Sequence, residues 1–353
     1  MGQVTDKEKV AARWSDSAVV FDAFSPQLYW LAIPAVQARH QRRSCGGRNY
    51  PSWVEYCLNE FMPDTPAQRM LSIGCGQGAL ERQLHALRAF EACDAFDIAP
   101  GAIDMARNAA SAAGIRTINY EARDVEALDF GEGLYDAIWF NGSLHHIEAL
   151  EVVLSNVRRA LKPGGLLFLH EYVGADRFAF PSAQREAIER AFLLIPDAYR
   201  KSFAAHDMGE VAVLPPLPDP EEVRRADPSE AVRSSAILPA VATLFDTLAL
   251  NASGGTLLQF LLSGIAGNFR ADDPKSMAVL DMLFRIEDTL IDTGHLPSDF
   301  VVCAARAKPQ RDDIDAPLPD LEGIQTAISD LRERNINAAK EIQRLRNSLG
   351  RRT

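Results

Sequence analysis

An α/β fold built on a mostly parallel sheet is what this 353-residue sequence predicts, on three observations. Short apolar runs alternate with helical ones between residues 67 and 173, the pattern of strands joined by crossover helices. The first run leads straight into Gly74-Cys75-Gly76-Gln77-Gly78, a turn in which glycines let the chain bend sharply and keep side chains away from an approaching ligand. Polar side chains then recur where successive strands end, at Asp97, Asp124, Asn141 and Glu171, the edge of such a sheet where ligands bind.

The elements follow in order. Residues 69–73 form the first strand, and a helix is expected over 79–88. A second strand spans 91–98, and Pro100-Gly101 opens an alanine-rich helix to about residue 113. Strands at 117–122 and 136–140 come next. A helix then presents Ile147, Leu150, Val153, Leu154, Val157 and Leu161 on one face, and Lys162-Pro163-Gly164-Gly165 stops it before a fifth strand at 166–169. Further on, helical stretches near 182–203, 230–244, 257–268 and 274–293 surround strand candidates at 248–251 and 299–307, with a proline-rich loop at 214–220. Segments 174–246 and 252–298 read as insertions forming a helical cap over the carboxyl edge.

Composition narrows the function. A formal net charge of -11 argues against a nucleic-acid partner, whose phosphates are neutralised by Lys and Arg. Five scattered cysteines without C-x-x-C spacing read as free thiols in a reducing compartment, with no zinc site. With neither a signal-like N-terminus nor an apolar run long enough to span a bilayer, the expected location is cytoplasmic.

The glycine spacing is one residue shorter than the G-x-G-x-x-G of dinucleotide folds, and suits a cofactor without phosphates. Asp97 is placed to accept from ribose hydroxyls, or simply to cap the following helix. Asp124, with the Val125 amide beside it, is placed for an adenine ring, or is an ordinary turn aspartate. The runs Leu71 to Gly78, Asp97-Ile98, Arg123-Asp124-Val125 and Leu161 to Gly165 together resemble the class I S-adenosylmethionine-dependent methyltransferases over about residues 67–173. That resemblance implies a Rossmann-like sheet of seven strands, the last antiparallel. It also implies S-adenosyl-L-methionine as cofactor, with Gly74, Cys75, Gly76, Gly78, Asp97, Ile98, Asp124, Val125 and Asn141 at its site. More loosely, residues 25–30 and 227–235 resemble a bacterial subgroup associated with glycan modification, which implies a sugar, glycan or related small-molecule acceptor.

Methyl transfer to a hydroxyl or amine is helped by a base, and histidine suits neutral pH. His145 is the expected base, with Glu171 orienting it and His146 in reserve. A purely structural role for the pair is the alternative, as is Glu148 in place of Glu171. Adjacent histidines on a helix splay about 100° apart, which argues against one metal between them. Asn141 is expected at the methionine end of the cofactor or in a plain turn. Tyr29 and Trp30 read either as a lid within an N-terminal helical segment, 1–66, or as buried staples, and Arg224, Arg225 and Arg233 as contacts to an acidic acceptor or as solvated helix faces.

Residues 308–320 are charged and proline-rich and read as a linker. Beyond them, positions 321, 324, 328, 331, 335, 338, 342, 345 and 349 alternate by three and four. With Ile328, Asn335 and Ile342 at a sites and Leu331 and Leu345 at d sites, 321–350 predicts a parallel two-stranded coiled coil, and hence a homodimer or a partner protein. A solitary amphipathic helix is the alternative. A non-catalytic scaffold that binds the cofactor or has lost it, acting through that helix, is the competing function, and a methyltransferase on a non-sugar small molecule is the other alternative.

Overall fold

The computed structural model describes residues 5–16 and 25–308. The linker, apart from Lys308, and the heptad segment therefore lie outside the described residues. One seven-stranded sheet in the order β3-β2-β1-β4-β5-β7-β6 organises the chain up to residue 307. Its strands are β1 (Ala67–Ile73), β2 (Phe90–Asp97), β3 (Ile118–Ala122), β4 (Tyr135–Asn141), β5 (Leu161–Tyr172), β6 (Phe245–Gly254) and β7 (Phe300–Ala307). Strands β1 to β5 are parallel, and β7 runs antiparallel between β5 and β6. The expected sheet is thus present, with its chain reversal between β1 and β4.

Period-two alternation divides the core between the two faces. Leu71, Ile73, Ile138, Phe140, Leu167 and Leu169 point to one side. There they meet Val153, Leu154 and Val157 of a helix at Leu150–Ala160, and Ile237 and Val241 of one at Ile237–Leu244. Met70, Ala137, Trp139 and Phe168 point to the other. They pack on Val54 and Leu58 of Trp53–Phe61 and on Leu80 and Leu84 of Ala79–Ala86. Such two-sided burial explains why the central strands read as continuous apolar runs.

Three expectations are corrected here. The cap does not extend over 174–246: residues 237–244 are an ordinary crossover helix on the sheet, and β6 begins at Phe245. That segment, Ile-Leu-Pro-Ala-Val-Ala-Thr-Leu, has no charged face to reveal which side is buried. Residues 252–254 likewise belong to β6. What lies at the carboxyl edge is a third cluster, joining Ile188 and Phe192, Leu258, Leu261 and Leu262, and Leu280 and Leu283 to Trp30, Ile33 and Val36.

The second correction concerns the N-terminal segment. Trp30 is 3% exposed inside that third cluster, against His40 and Phe300, so it is a staple and not a lid. The helices at Pro34–Ser44 and Trp53–Phe61 pack on β6 and on the sheet face, through Arg43 Nε to the Ala252 carbonyl in the first case. The third concerns the histidines. Leu144–His146 is a 3-10 turn, and the next α-helix begins only at Leu150.

Candidate active site

The site grows from the β1 turn. Gly74, Gly76 and Gly78 all have positive φ, at +70°, +51° and +76°. Their reasons differ. A Cβ on Gly74 would stand 2.3 Å from that of Ser143, and one on Gly78 would stand 2.5 Å from the Tyr120 hydroxyl. Gly74 and Gly78 therefore serve close packing, whereas nothing lies within 4 Å of a Cβ on Gly76, which faces open space. Asp97 braces the turn, its Oδ2 accepting from the Gly76 amide at 2.8 Å and its Oδ1 from Ala99 at 2.9 Å. Burial nevertheless pushes its carboxyl up, against those two hydrogen bonds.

A cavity of about 620 Å³ opens between the ends of β1, β2 and β4, at the chain reversal where such sheets bind ligands. Gly74, Cys75, Gly76, Asp97, Ile98, Asp124, Val125 and Asn141 all line it, and Gly78 does not. Asn141 Oδ1 lies 3.0 Å from His170 Nδ1, so its amide is anchored from behind.

The sequence reading expected a lid within 1–66 but looked to Tyr29 and Trp30, whereas the roof is a helix at Asp6–Ser15. Asp6, Lys7, Val10 and Trp14 of that helix line the cavity. Lys7 Nζ reaches Asp124 Oδ2 at 2.6 Å and Glu126 Oε2 at 2.8 Å. Trp14 donates from Nε1 to Asp227 at 2.9 Å and sets its ring edge-on to His146. A capping box between Thr5 and Glu8 starts the helix, and this short motif was its one legible signal.

Glu171 is fully buried at the end of β5. Its Oε1 accepts from the Ser143 and Leu144 amides, both at 2.8 Å, and its Oε2 lies 2.8 Å from His145 Nδ1. Burial would raise this carboxyl, but those hydrogen bonds outweigh it and hold the group below the usual carboxylate range. His145 in turn is raised, because the Glu171 interaction overcomes its own burial. Glu148 does not take that place; its amide donates to Glu126 Oε1.

His146 lines the cavity, and its Nδ1 lies 2.9 Å from Ser229 Oγ. The 3-10 turn sets the two imidazoles with centroids 4.3 Å apart, so the expected splay is absent. With Glu230 they form, among the described residues, a group whose donor atoms lie within 4.8 Å of one another. Burial and the neighbouring His145 lower His146.

The segment 227–232 forms the wall opposite, and Pro228, Ser229 and Val232 reach the cavity. Its backbone is knitted to 177 by the Arg177 amide donating to the Ala231 carbonyl at 2.8 Å, with both residues at positive φ. Non-glycine residues held there store strain that the packing must impose. Arg224 lines the cavity, while Arg233 is paired with Glu151 and Arg225 with Glu222.

Residues 71–169 match the family described as a methyltransferase domain, whose cofactor is S-adenosyl-L-methionine. A highly reducing polyketide synthase of Emericella nidulans is 31% identical over 139 residues, 36% of this chain and 5% of that protein. Another from Fusarium mangiferae is 35% identical over 128 residues, again 5% of its length. The chain thus spans about a twentieth of these curated relatives. Among solved structures, geranyl diphosphate C-methyltransferase from Streptomyces coelicolor A3(2) is 15% identical with a TM-score of 0.49, covering 87% of this chain and 100% of that one. A phosphoethanolamine N-methyltransferase of Haemonchus contortus is 17% identical with a TM-score of 0.41, covering 78% and 57%. No helix among the described residues is long and apolar enough to cross a membrane.

Proposed function

We propose that this protein methylates a small-molecule acceptor that gives up a proton as it reacts, with His145 as the base and Glu171 as its positioning residue. The observation that carries this reading is the buried Glu171 to His145 hydrogen bond, 2.8 Å long, next to a cavity of the right chemistry for S-adenosylmethionine. Open space at Gly76 leaves room for a nucleoside, and Asp97 stands beside it as an acceptor for ribose hydroxyls. When bound, the cofactor supplies an electrophilic methyl group on a sulfonium.

Three jobs remain for the chain. Asp97, Asp124, Val125 and Asn141 hold and orient the cofactor, and alignment is the larger part of the rate. The roof helix and the wall at 227–232 exclude water. Glu171 is spent as an acceptor on two amides and on His145 Nδ1, so His145 carries a proton there and, in its neutral form, offers Nε2 as the base. That nitrogen takes the proton of the acceptor. His146, which meets the cavity directly, is the reserve base.

The acceptor proposed is a hydroxyl or amine of a sugar, glycan or related small molecule. Residues 227–235, which carry the looser resemblance to glycan-modifying enzymes, supply the wall beside the histidines. The test uses methyl-labelled cofactor with fractionated cell-surface glycans, their nucleotide-linked precursors, and a small-molecule extract containing polyketides. Label is expected in a glycan or precursor fraction; label confined to the polyketide fraction removes the sugar. His145→Ala is expected to lower turnover by roughly 10²- to 10⁴-fold while calorimetric cofactor affinity stays unchanged. Full turnover in that variant removes the base assignment. A chain that binds no cofactor is the scaffold of the competing reading.

A further inference from the structure

Hydrogen-bond directions around the two histidines place a proton on each Nδ1. The Ser229 hydroxyl donates to Asp227 Oδ1 at 2.7 Å, so its lone pair is left to accept from His146 Nδ1 at 2.9 Å. His145 Nδ1 donates to Glu171 in the same way. With each Nδ1 committed in this way, both imidazoles turn Nε2 in one direction, and what they face is the carboxylate of Glu230. His145 Nε2 lies 3.7 Å from Glu230 Oε1, and His146 Nε2 lies 3.9 Å from Oε2. Neither distance is a hydrogen bond. Three potential ligand groups thus converge in a place where the His145 and Glu230 side chains are only 11% and 25% exposed.

We infer that His145 Nε2, His146 Nε2 and Glu230 bind a divalent transition-metal ion of the zinc class beside the cofactor cavity, whose lining includes His146. Two imidazoles and one carboxylate are a donor set that zinc accepts, with a position left for solvent or acceptor. Around a metal with bonds near 2.0–2.1 Å, neighbouring donors stand roughly 3.4 Å apart, against 3.7 and 3.9 Å here between each Nε2 and a Glu230 oxygen, with the three donors all within 4.8 Å of one another. The supporting groups are in place as well. A ligating histidine almost always donates its other N–H to a carboxylate or similar acceptor, and Glu171 and Ser229 do this here. Asp227 extends the chain behind Ser229 and is itself held by Trp14 of the roof helix.

One consequence rests on the proposed base. A metal on His145 Nε2 occupies the lone pair that would take the acceptor's proton, so metal occupancy and base-driven turnover exclude one another.

The experiment is a titration of the full chain, stripped by chelator, with Co²⁺ followed by its visible ligand-field absorption, and with Zn²⁺ as competitor. Saturable one-to-one binding with a tetrahedral or five-coordinate spectrum is expected. His146→Ala and Glu230→Ala should each weaken it by roughly 100-fold or more, and Glu171→Gln by about 10- to 100-fold through loss of orientation. Circular dichroism and cofactor affinity report that each variant is folded. No saturable binding by the wild type, or equal binding by the folded Glu230→Ala and His146→Ala variants, overturns the site. Added Zn²⁺ is expected to suppress methyl transfer in proportion to occupancy. Binding without suppression keeps the metal site and removes His145 as the base, so the two failures are read apart.

Discussion

Beneath the glycine turn, Glu81 is completely buried, and Ser72 and its own backbone amide are too weakly placed to offset that burial. Burial raises its pKa from 4.5 to about 7, which keeps it protonated in the fold. The sign of the pH effect follows. Unfolded, the group ionises above 4.5, whereas folded it holds its proton until about 7, so each unit of pH in that window favours the unfolded chain. Stability contributed below 4.5 is lost on the way to about 7, by at most about 3 kcal/mol. Glu81→Gln keeps the shape and abolishes the titration. Thermal unfolding should therefore show the variant within a degree or two of wild type at pH 4.5 and several degrees above it at pH 8. An equal difference at both pH values would mean that Glu81 is ionised in the fold and stabilised by groups not recognised here.

At the scale of elements, the helix at Asp6–Ser15 holds the cavity closed by two kinds of contact of unequal worth. Lys7 is 53% exposed, so its bridges to Asp124 and Glu126 contribute under about 1 kcal/mol. Trp14 instead bonds Asp227, whose side chain is 4% exposed, and covers His146 with its ring. Removing it leaves Asp227 Oδ2 without its hydrogen bond and with the Arg13 guanidinium 3.7 Å away, a loss of about 1–3 kcal/mol. Lys7→Ala should accordingly change cofactor affinity less than fivefold, while Trp14→Ala should raise the KM of the acceptor by tenfold or more. Calorimetry and steady-state kinetics measure both, and equal small effects would show that the helix is not a functional roof. The same helix shows why the site was only half legible in the sequence. The donor half, Gly74 to Asn141, is written in contiguous strand-turn units whose order is the order of the sheet. The acceptor half joins Trp14 to Asp227 and His146 to Ser229, pairs 213 and 83 residues apart, and no local pattern announces contacts of that reach. The His145 and Glu171 pairing was legible because both stand at the ends of adjacent strands. The cap boundary was not, since the helix at Ile237–Leu244 is apolar all round and could face a cap or a sheet equally.

For the whole molecule, the open issue is the segment 321–350, whose heptad pattern we propose pairs two chains. The chain divides into two units at 307 and 308, and the seven-stranded sheet lies within the first. Pairing is therefore expected to set oligomeric state and leave the core's stability alone. Three turns of the pattern place Ile328 and Ile342 at a sites on either side of Asn335, a polar residue that trades stability for a fixed register. In the full chain, sedimentation should show a dimer at micromolar concentration. Ile328→Lys with Ile342→Lys puts charges into the seam and should give a monomer, with cofactor affinity and thermal midpoint of the core unchanged. Asn335→Ile should tighten association and admit higher oligomers, because the register constraint is gone. A wild type that sediments as a monomer, or a lysine variant that stays dimeric, places the self-association elsewhere and leaves 321–350 as a solitary helix or a docking segment for a different protein.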